Sequence, residues 1–303
     1  MRGKFSIAAM MDATSPVTSP TTSRRRFLRN GAVALATASV LSGRTLSALQ
    51  GSAKRSWQLG VCSYSFHKFD RAHVIEWTKQ LGVKYLNAKD ISDHLPSTST
   101  AAEDAALADY KAAGIELTSA GVIYFLKPDP VDIRAKFEYA KRAGVSTIVG
   151  SPTREVLPAI EPFVKEYKMR MAIHNHGPED KQWPSPLDIL AVIEPMDKRI
   201  GLCMDLGHTE RSGTDPVEAI KKAGPRLFDL HIKDLADLKV KESQVAVGEG
   251  KMPVRAIFET LDKIGYKGFV DLEYEIHEDD PMPGMIQSFA YMRGVLAGMG
   301  PLE

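Results

Sequence analysis

Apolar residues in this chain cluster in eight short runs separated by longer amphipathic stretches. The runs cover residues 58–64, 84–88, 116–120, 147–150, 170–174, 201–205, 228–232 and 269–273. Four to seven residues suit strands rather than helices. Between them, apolar positions recur every three to four residues over 72–81, 101–113, 131–143, 187–193, 216–223, 254–264 and 285–296, which predicts helices with one buried face. The punctuation agrees. Gly82, Gly114, Gly144 and Gly265 follow helical stretches as C-terminal caps. Pro216 and Pro253 stand at first-turn positions. Eight strands alternating with helices within about 255 residues predict an α/β protein with a single-domain (β/α)8 TIM barrel over 49–303. An open doubly wound sheet is the alternative. Against it, the first strand runs into Cys62-Ser63-Tyr64-Ser65-Phe66, which lacks a Gly-rich phosphate fingerprint. The longest departure from the rhythm is residues 235–251. This stretch is polar and ends in Gly248-Glu249-Gly250, so it is a candidate rim or flap over the site.

The N-terminus follows a different pattern. Residues 1–22 are rich in Ser, Thr and Pro, and Ser23-Arg24-Arg25-Arg26-Phe27-Leu28-Arg29 precedes a small-residue apolar run at 31–41. With a candidate cleavage site at Leu46-Ser47-Ala48, residues 1–48 read as a twin-arginine export signal, and the domain as periplasmic or extracellular. The apolar run is too short to span a bilayer, so no stable membrane insertion is expected after signal removal. Because that route exports folded proteins, a metal would be loaded before export.

Removing this segment changes the charge balance. It holds seven of the 39 Lys and Arg and one of the 38 Asp and Glu, leaving 32 against 37 and a domain near −5. Such a surface lacks the cations that neutralise phosphates, so no nucleic-acid partner is expected. Cys62 and Cys203 are the complete thiol inventory and both fall in strands. A domain of this size folds without disulfide staples, which makes them buried free thiols. Homo-oligomerisation is left open.

The chemistry gathers at the strand ends, where parallel barrels carry their sites. His174 ends strand five, Asp205 strand six, His231 strand seven and Glu273 strand eight. Two imidazoles and two carboxylates from neighbouring strands suit one divalent ion, Mn²⁺, Co²⁺, Fe²⁺ or Zn²⁺. His208, three beyond Asp205, lines the pocket for substrate or supports it by a hydrogen bond. His176, two beyond His174, is a proton carrier or a structural residue. Lys233 would hold a substrate oxygen or polarise a carbonyl, and Asp234 would orient a neighbour. Glu275 is in phase with Glu273 but farther out, either contacting substrate or standing as a rim charge. Trp183 would stack on a sugar ring or pack beneath its loop.

The phrases HNHGPED, GLCMDLGH, LHIKD, VGEG and GYKGFVDLEYE, in this order, resemble the sugar phosphate isomerase/epimerase family with its xylose isomerase-like barrel. The resemblance covers essentially all of the domain and implies one divalent metal held by Glu, Asp, His and Glu from strands five to eight. Asp205, His231 and Glu273 match the last three. The histidine of the Asp-x-x-His pattern, here His208, touches substrate in that family. Strand five departs from it, reading His174-Asn175-His176 where many relatives have Glu-Asn-His. In ketose epimerases of the superfamily, the strand-five and strand-eight glutamates exchange protons with opposite faces of the substrate. One of that pair is missing here, which leaves His174 or His176 for the second role.

Two carboxylates rather than three bring the ion's cluster near neutrality and make it a stronger Lewis acid. The resemblance therefore implies a metal-dependent isomerase or epimerase acting on a keto-sugar or related carbohydrate through an enediolate. Glu273, His176 and Lys233 are its expected catalytic residues. β-Elimination from a 3-keto-glycoside is the alternative chemistry, and a non-catalytic sugar-binding barrel the other class. The superfamily's apurinic endonucleases draw extra histidine ligands from early strands. Strand three here reads Ala120-Gly121-Val122-Ile123-Tyr124 and offers none.

Overall fold

The computed structural model describes residues 55–300. The segment read as an export signal and the domain limit at residue 48 lie outside the described residues. Eight parallel strands close into a barrel: β1 (Gln58–Cys62), β2 (Tyr85–Ala88), β3 (Glu116–Phe125), β4 (Thr147–Pro152), β5 (Arg170–His174), β6 (Ile200–Asp205), β7 (Leu227–Ile232) and β8 (Phe269–Leu272). Each strand pairs with its sequence neighbours, and β8 pairs with β1.

Helices surround the barrel: α1 (Arg71–Gln80), α2 (Thr100–Ala113), α3 (Pro130–Arg142), α4 (Leu157–Tyr167), α5 (Pro186–Ile193), α6 (Leu206–Arg211), α7 (Pro216–Ala223), α8 (Val254–Lys263) and α9 (Met282–Met299). The four predicted glycine caps all have left-handed φ, between 65° and 75°. Helix α4 is the one full-length barrel helix whose pattern is not legible in the sequence. Pro158 in its first turn and Pro162 inside it interrupt the helical signal. Two strand ends also differ. After Cys62 the chain turns into a 3-10 helix at Ser63–Phe66, and β3 runs on to Phe125.

Alternation along each strand divides the core. One parity, including Val61, Leu86, Ile148, Ile173, Leu202, Met204, Leu230, Ile232 and Leu272, is fully buried within the main apolar core, as expected for strands covered by helices. The other parity turns into the barrel and is small or polar: Cys62, Asn87, Ser119, Ala172, Cys203, Asp229 and Asp271 are all at most 1% exposed. Both thiols are free and buried. The same inward phase, carried one step further, delivers His174, Asp205, His231 and Glu273 to the mouth.

A side chain at Gly201 would collide with its neighbours. An added Cβ would lie 2.3 Å from the Arg226 carbonyl oxygen and 2.5 Å from the Phe228 ring. This glycine lets β6 and β7 approach near their N-terminal ends, where Leu202 pairs with Leu227.

Gly201→Ala is therefore expected to cost about 2 kcal/mol and lower Tm by about 5 °C. Gly294→Ala, within α9 and facing open space, should stabilise by about 0.5 kcal/mol. Calorimetry on the two variants checks both signs.

Candidate functional site

Four donors meet at the C-terminal mouth. One ligand atom from each of His174, Asp205, His231 and Glu273 falls in a group no wider than 4.8 Å. All four residues are buried, none more than 5% exposed. His174 Nε2 faces His231 Nδ1 at 3.0 Å. Glu273 Oε2 lies 3.3 Å from His231 Nδ1 and 3.9 Å from His174 Nε2, while Asp205 Oδ2 is 3.8 Å from His174 Nε2.

The backbone around Asp205 is clamped by the residue between the two histidines. Asn175 accepts from the Asp205 N–H at 3.0 Å and donates to the Asp205 carbonyl at 3.2 Å. Asp205 Oδ1 caps α6 by accepting the His208 N–H at 2.7 Å. Its Oδ2 is left for the site.

These residues fit a divalent ion. Buried nitrogen and oxygen atoms normally have hydrogen-bond partners, yet Asp205 Oδ2, which faces the other donors, lacks an aligned one. The set of two imidazoles and two carboxylates is a transition-metal donor set. Burial drives His174 well below the ordinary imidazole range, with His176 and His231 adding to the effect. It therefore stays neutral and free to ligate.

Lys233 lies at the site as expected, but its charge is already paired there. Its Nζ stands 3.0 Å from Asp205 Oδ2 and 3.1 Å from Glu273 Oε2, and it also pairs with Glu275. Burial opposes its charge, but Asp205, Glu273 and Glu275 outweigh burial and raise its pKa well above the usual lysine range. It serves as the internal counter-ion of the carboxylates, not as a free electrophile. Burial likewise works against an ionised Glu273, but Lys233 and His231 hold its pKa well below the ordinary carboxylate range.

Beside this cluster lies a cleft of about 560 Å³ lined by His176, Asp180, His208, Arg211, Lys233 and Glu275. The His176 ring is 4.5 Å from that of His174 and 6.2 Å from that of His208. Asp180 Oδ2 stands 3.1 Å from His176 Nδ1. Arg211 approaches His208 Nδ1 at 3.1 Å and pairs with Glu179. Glu275, with a third of its side chain exposed, reaches the cleft.

Trp183 corrects one expectation. Its ring is fully buried, and its indole N–H donates to the Pro152 carbonyl. It packs beneath the loop after β5 and offers no stacking face to a sugar. The carboxylate of Asp234, expected to orient a neighbour, accepts the backbone N–H groups of Gly248, Gly250 and Met252. The Gly-Glu-Gly turn is thus an anion nest already filled by the protein, and it pins the 235–251 rim.

Sequence reading missed Asp180, Arg211 and a second wall of the mouth formed by Tyr64, Lys89 and Tyr124. Lys89 was findable, since it directly follows strand β2, and strand ends are where barrel chemistry sits. Below the cluster, Asp229 and Asp271 form a buried carboxyl pair with elevated pKa values. Burial is the main cause for both, and Asp229 raises Asp271 further.

Comparisons with known proteins agree with the barrel fold. The profile of the xylose isomerase-like TIM barrel family matches residues 75–295. An inosose dehydratase from Clostridium perfringens is 27% identical over 136 residues, 40% of this chain and 46% of that protein. The match thus spans about half the length of that curated relative. A crystal structure of an uncharacterized Parabacteroides distasonis protein superposes with a TM-score of 0.61 at 25% identity, over 81% of this chain and all of the other. The 3-keto-D-glucoside 4-epimerase of E. coli gives 0.63 at 18% identity, over 80% and 100% of the two chains.

Two outcomes test the assignments. Asp205→Asn and His231→Ala should each lower bound Mn²⁺ or Zn²⁺ from about one ion per chain to a small fraction, as measured by elemental analysis after dialysis. Trp183→Phe should lose about 1 kcal/mol in denaturant unfolding and leave sugar affinity unchanged. A stacking residue would do the reverse.

Proposed function

The chain belongs to the xylose isomerase-like TIM barrel family, and from that footing we propose an enzyme that enolises a keto-sugar or related polyol ketone. One divalent ion is its cofactor, and expulsion of a β-substituent is its favoured outcome. The observation that carries this reading is the four-donor cluster, with His176 beside it at the edge of an open cleft. An ion held by His174, Asp205, His231 and Glu273 would supply Lewis-acid stabilisation of the negative charge that develops on the substrate.

The chain's own residues do the rest. Asp180 beside Nδ1 would orient the His176 ring, with Nε2 as the proton acceptor. Glu273 is engaged by Lys233 and His231, so His176 is the better base for the proton beside the carbonyl. His208, oriented by Arg211, and Glu275 face the same cleft and would bind sugar hydroxyls.

Elimination stands ahead of isomerisation because of what strand five presents. Strand five presents His174 where paired-carboxylate epimerisation needs a second carboxylate base. A curated relative carrying the name inosose dehydratase is in keeping with this. An exported location, as expected from the arginine pair, would suit breakdown of glycosides outside the cytoplasm.

Proton NMR in D₂O on the metal-loaded chain with a 3-keto-glucoside tests the reading. Deuterium entering beside the carbonyl together with aglycone release is expected. Deuterium or stereochemical change with an intact skeleton would instead establish an isomerase or epimerase. Asp180→Asn should slow the exchange by about 100-fold while retaining the ion, and Glu273→Gln should lose both ion and exchange.

A further inference from the structure

One wall of the mouth stands apart from the four donors and from the cleft lined by His176 and His208. Lys89 follows the last residue of β2, and its backbone N–H donates to Ser63 Oγ at 2.9 Å. The side chain therefore starts from a fixed point at the C-terminal face. Its ammonium lies 4.4 Å from the centre of the Tyr64 ring and 5.7 Å from that of Tyr124. Aromatic faces hold a cation by its attraction to the ring electrons, without neutralising it.

The contrast with Lys233 is direct. Lys233 is tied to three carboxylates, whereas Lys89 forms no ion pair among the described residues. The Tyr124 ring links Lys89 to the proposed base. It stacks toward His176 with centroids 6.4 Å apart and planes at 20°. A sugar seated at the mouth beside the four donors would have His176 on one side and Lys89 on the other.

We propose that Lys89 is a second proton-transfer residue, standing across the mouth from His176 and protonating the oxygen that leaves the sugar. It rests on the keto-sugar elimination reading above. His176 takes the proton from the carbon beside the carbonyl, and the C–H electron pair becomes the new C=C bond. The C–O bond at the neighbouring carbon breaks with both electrons going to oxygen, and Lys89 Nζ gives that oxygen a proton. Exchange with water then returns a proton to Lys89 and removes one from His176, so no further reactant is consumed. Removal from water lowers the Lys89 pKa, while the charges of Glu273 and Glu275 pull it up. An ammonium made more acidic by partial burial is a better proton donor near neutral pH. Tyr64 and Tyr124 hold the chain in place and are positioning residues.

The test uses the metal-loaded full chain and Lys89→Met, with two 3-keto-glucosides that differ only in leaving group. Methoxide needs a proton to depart, whereas 4-nitrophenolate does not. Lys89→Met should slow methanol release by at least about 100-fold and 4-nitrophenol release by no more than about threefold. Deuterium uptake beside the carbonyl should continue, and Lys89→Arg should not restore methanol release, because guanidinium is a poor acid. Equal losses on both substrates, or none on either, would overturn the proposal.

Turnover of neither substrate by the wild-type chain would sink the keto-sugar reading instead. Lys89 is then judged alone, by ¹⁵N NMR of its Nζ, identified by its absence in Lys89→Met. A midpoint below the ordinary lysine range keeps it as a proton-transfer group for another substrate, and an ordinary midpoint removes it.

Discussion

The site depends on keeping two carboxylates charged in a place from which water is removed. Asp205 and Glu273 are buried within 4.8 Å of each other. Unit charges at such a separation repel by on the order of 4 kcal/mol at an effective dielectric of 20, and desolvation adds to that. Lys233, at 3.0 and 3.1 Å from the two, is the cation that makes their ionisation tolerable. A divalent ion would strengthen the same balance, and the neutral His174 in strand five limits the negative charge the ion must meet. Replacing a carboxylate by an imidazole at that position thus acts on binding and chemistry together. A bound ion's positive charge would be left less quenched and would act more strongly on a substrate carbonyl.

That demand for charge reaches back into the barrel. The strands must be apolar outward to pack against helices, yet their inward residues form a polar column from Asp229 and Asp271 up to the donors. Asn87 donates to Ser119, which donates to Asp229, so part of the column is hydrogen-bonded across the lumen. Gly60 makes room for it, since a Cβ there would lie 2.0 Å from Asp271 Oδ1. Conventional barrel interiors are filled with branched apolar side chains. Here the layer beneath the mouth trades that packing for polar groups beneath the ligands.

The barrel and the four donors were legible in the sequence because both follow from one regularity. A strand of period two that points its last residue inward fixes the donor's direction as well as the fold. The same regularity covered Lys89, but a lone lysine carries no ligand chemistry, and its unpaired state is a property of the assembled mouth. Helix α4 was hidden by Pro158 and Pro162, whose local preference was overridden by packing against the barrel: Leu157, Ile160, Phe163 and Val164 are buried. Trp183 illustrates the opposite limit. An aromatic residue in a loop after a catalytic strand has the same sequence signal whether it faces sugar or core, and only its bond to the Pro152 carbonyl decides. Lys233 was located correctly at the site, yet its partners, not its position, determine what it does.

The asymmetry of the mouth then follows from where the charges are already spent. Strands five to eight supply ligands and a lysine locked among carboxylates, so the cationic and phenolic groups on β2, β3 and the turn after β1 have no partner there. His176, with Asp180 beside one nitrogen, joins the two sides through its contact with Tyr124. A mechanism that stabilises negative charge on one wall and relays protons along the other needs no second glutamate. In the proposed mechanism, His174 in strand five and Lys89 across the mouth would both serve that division of labour.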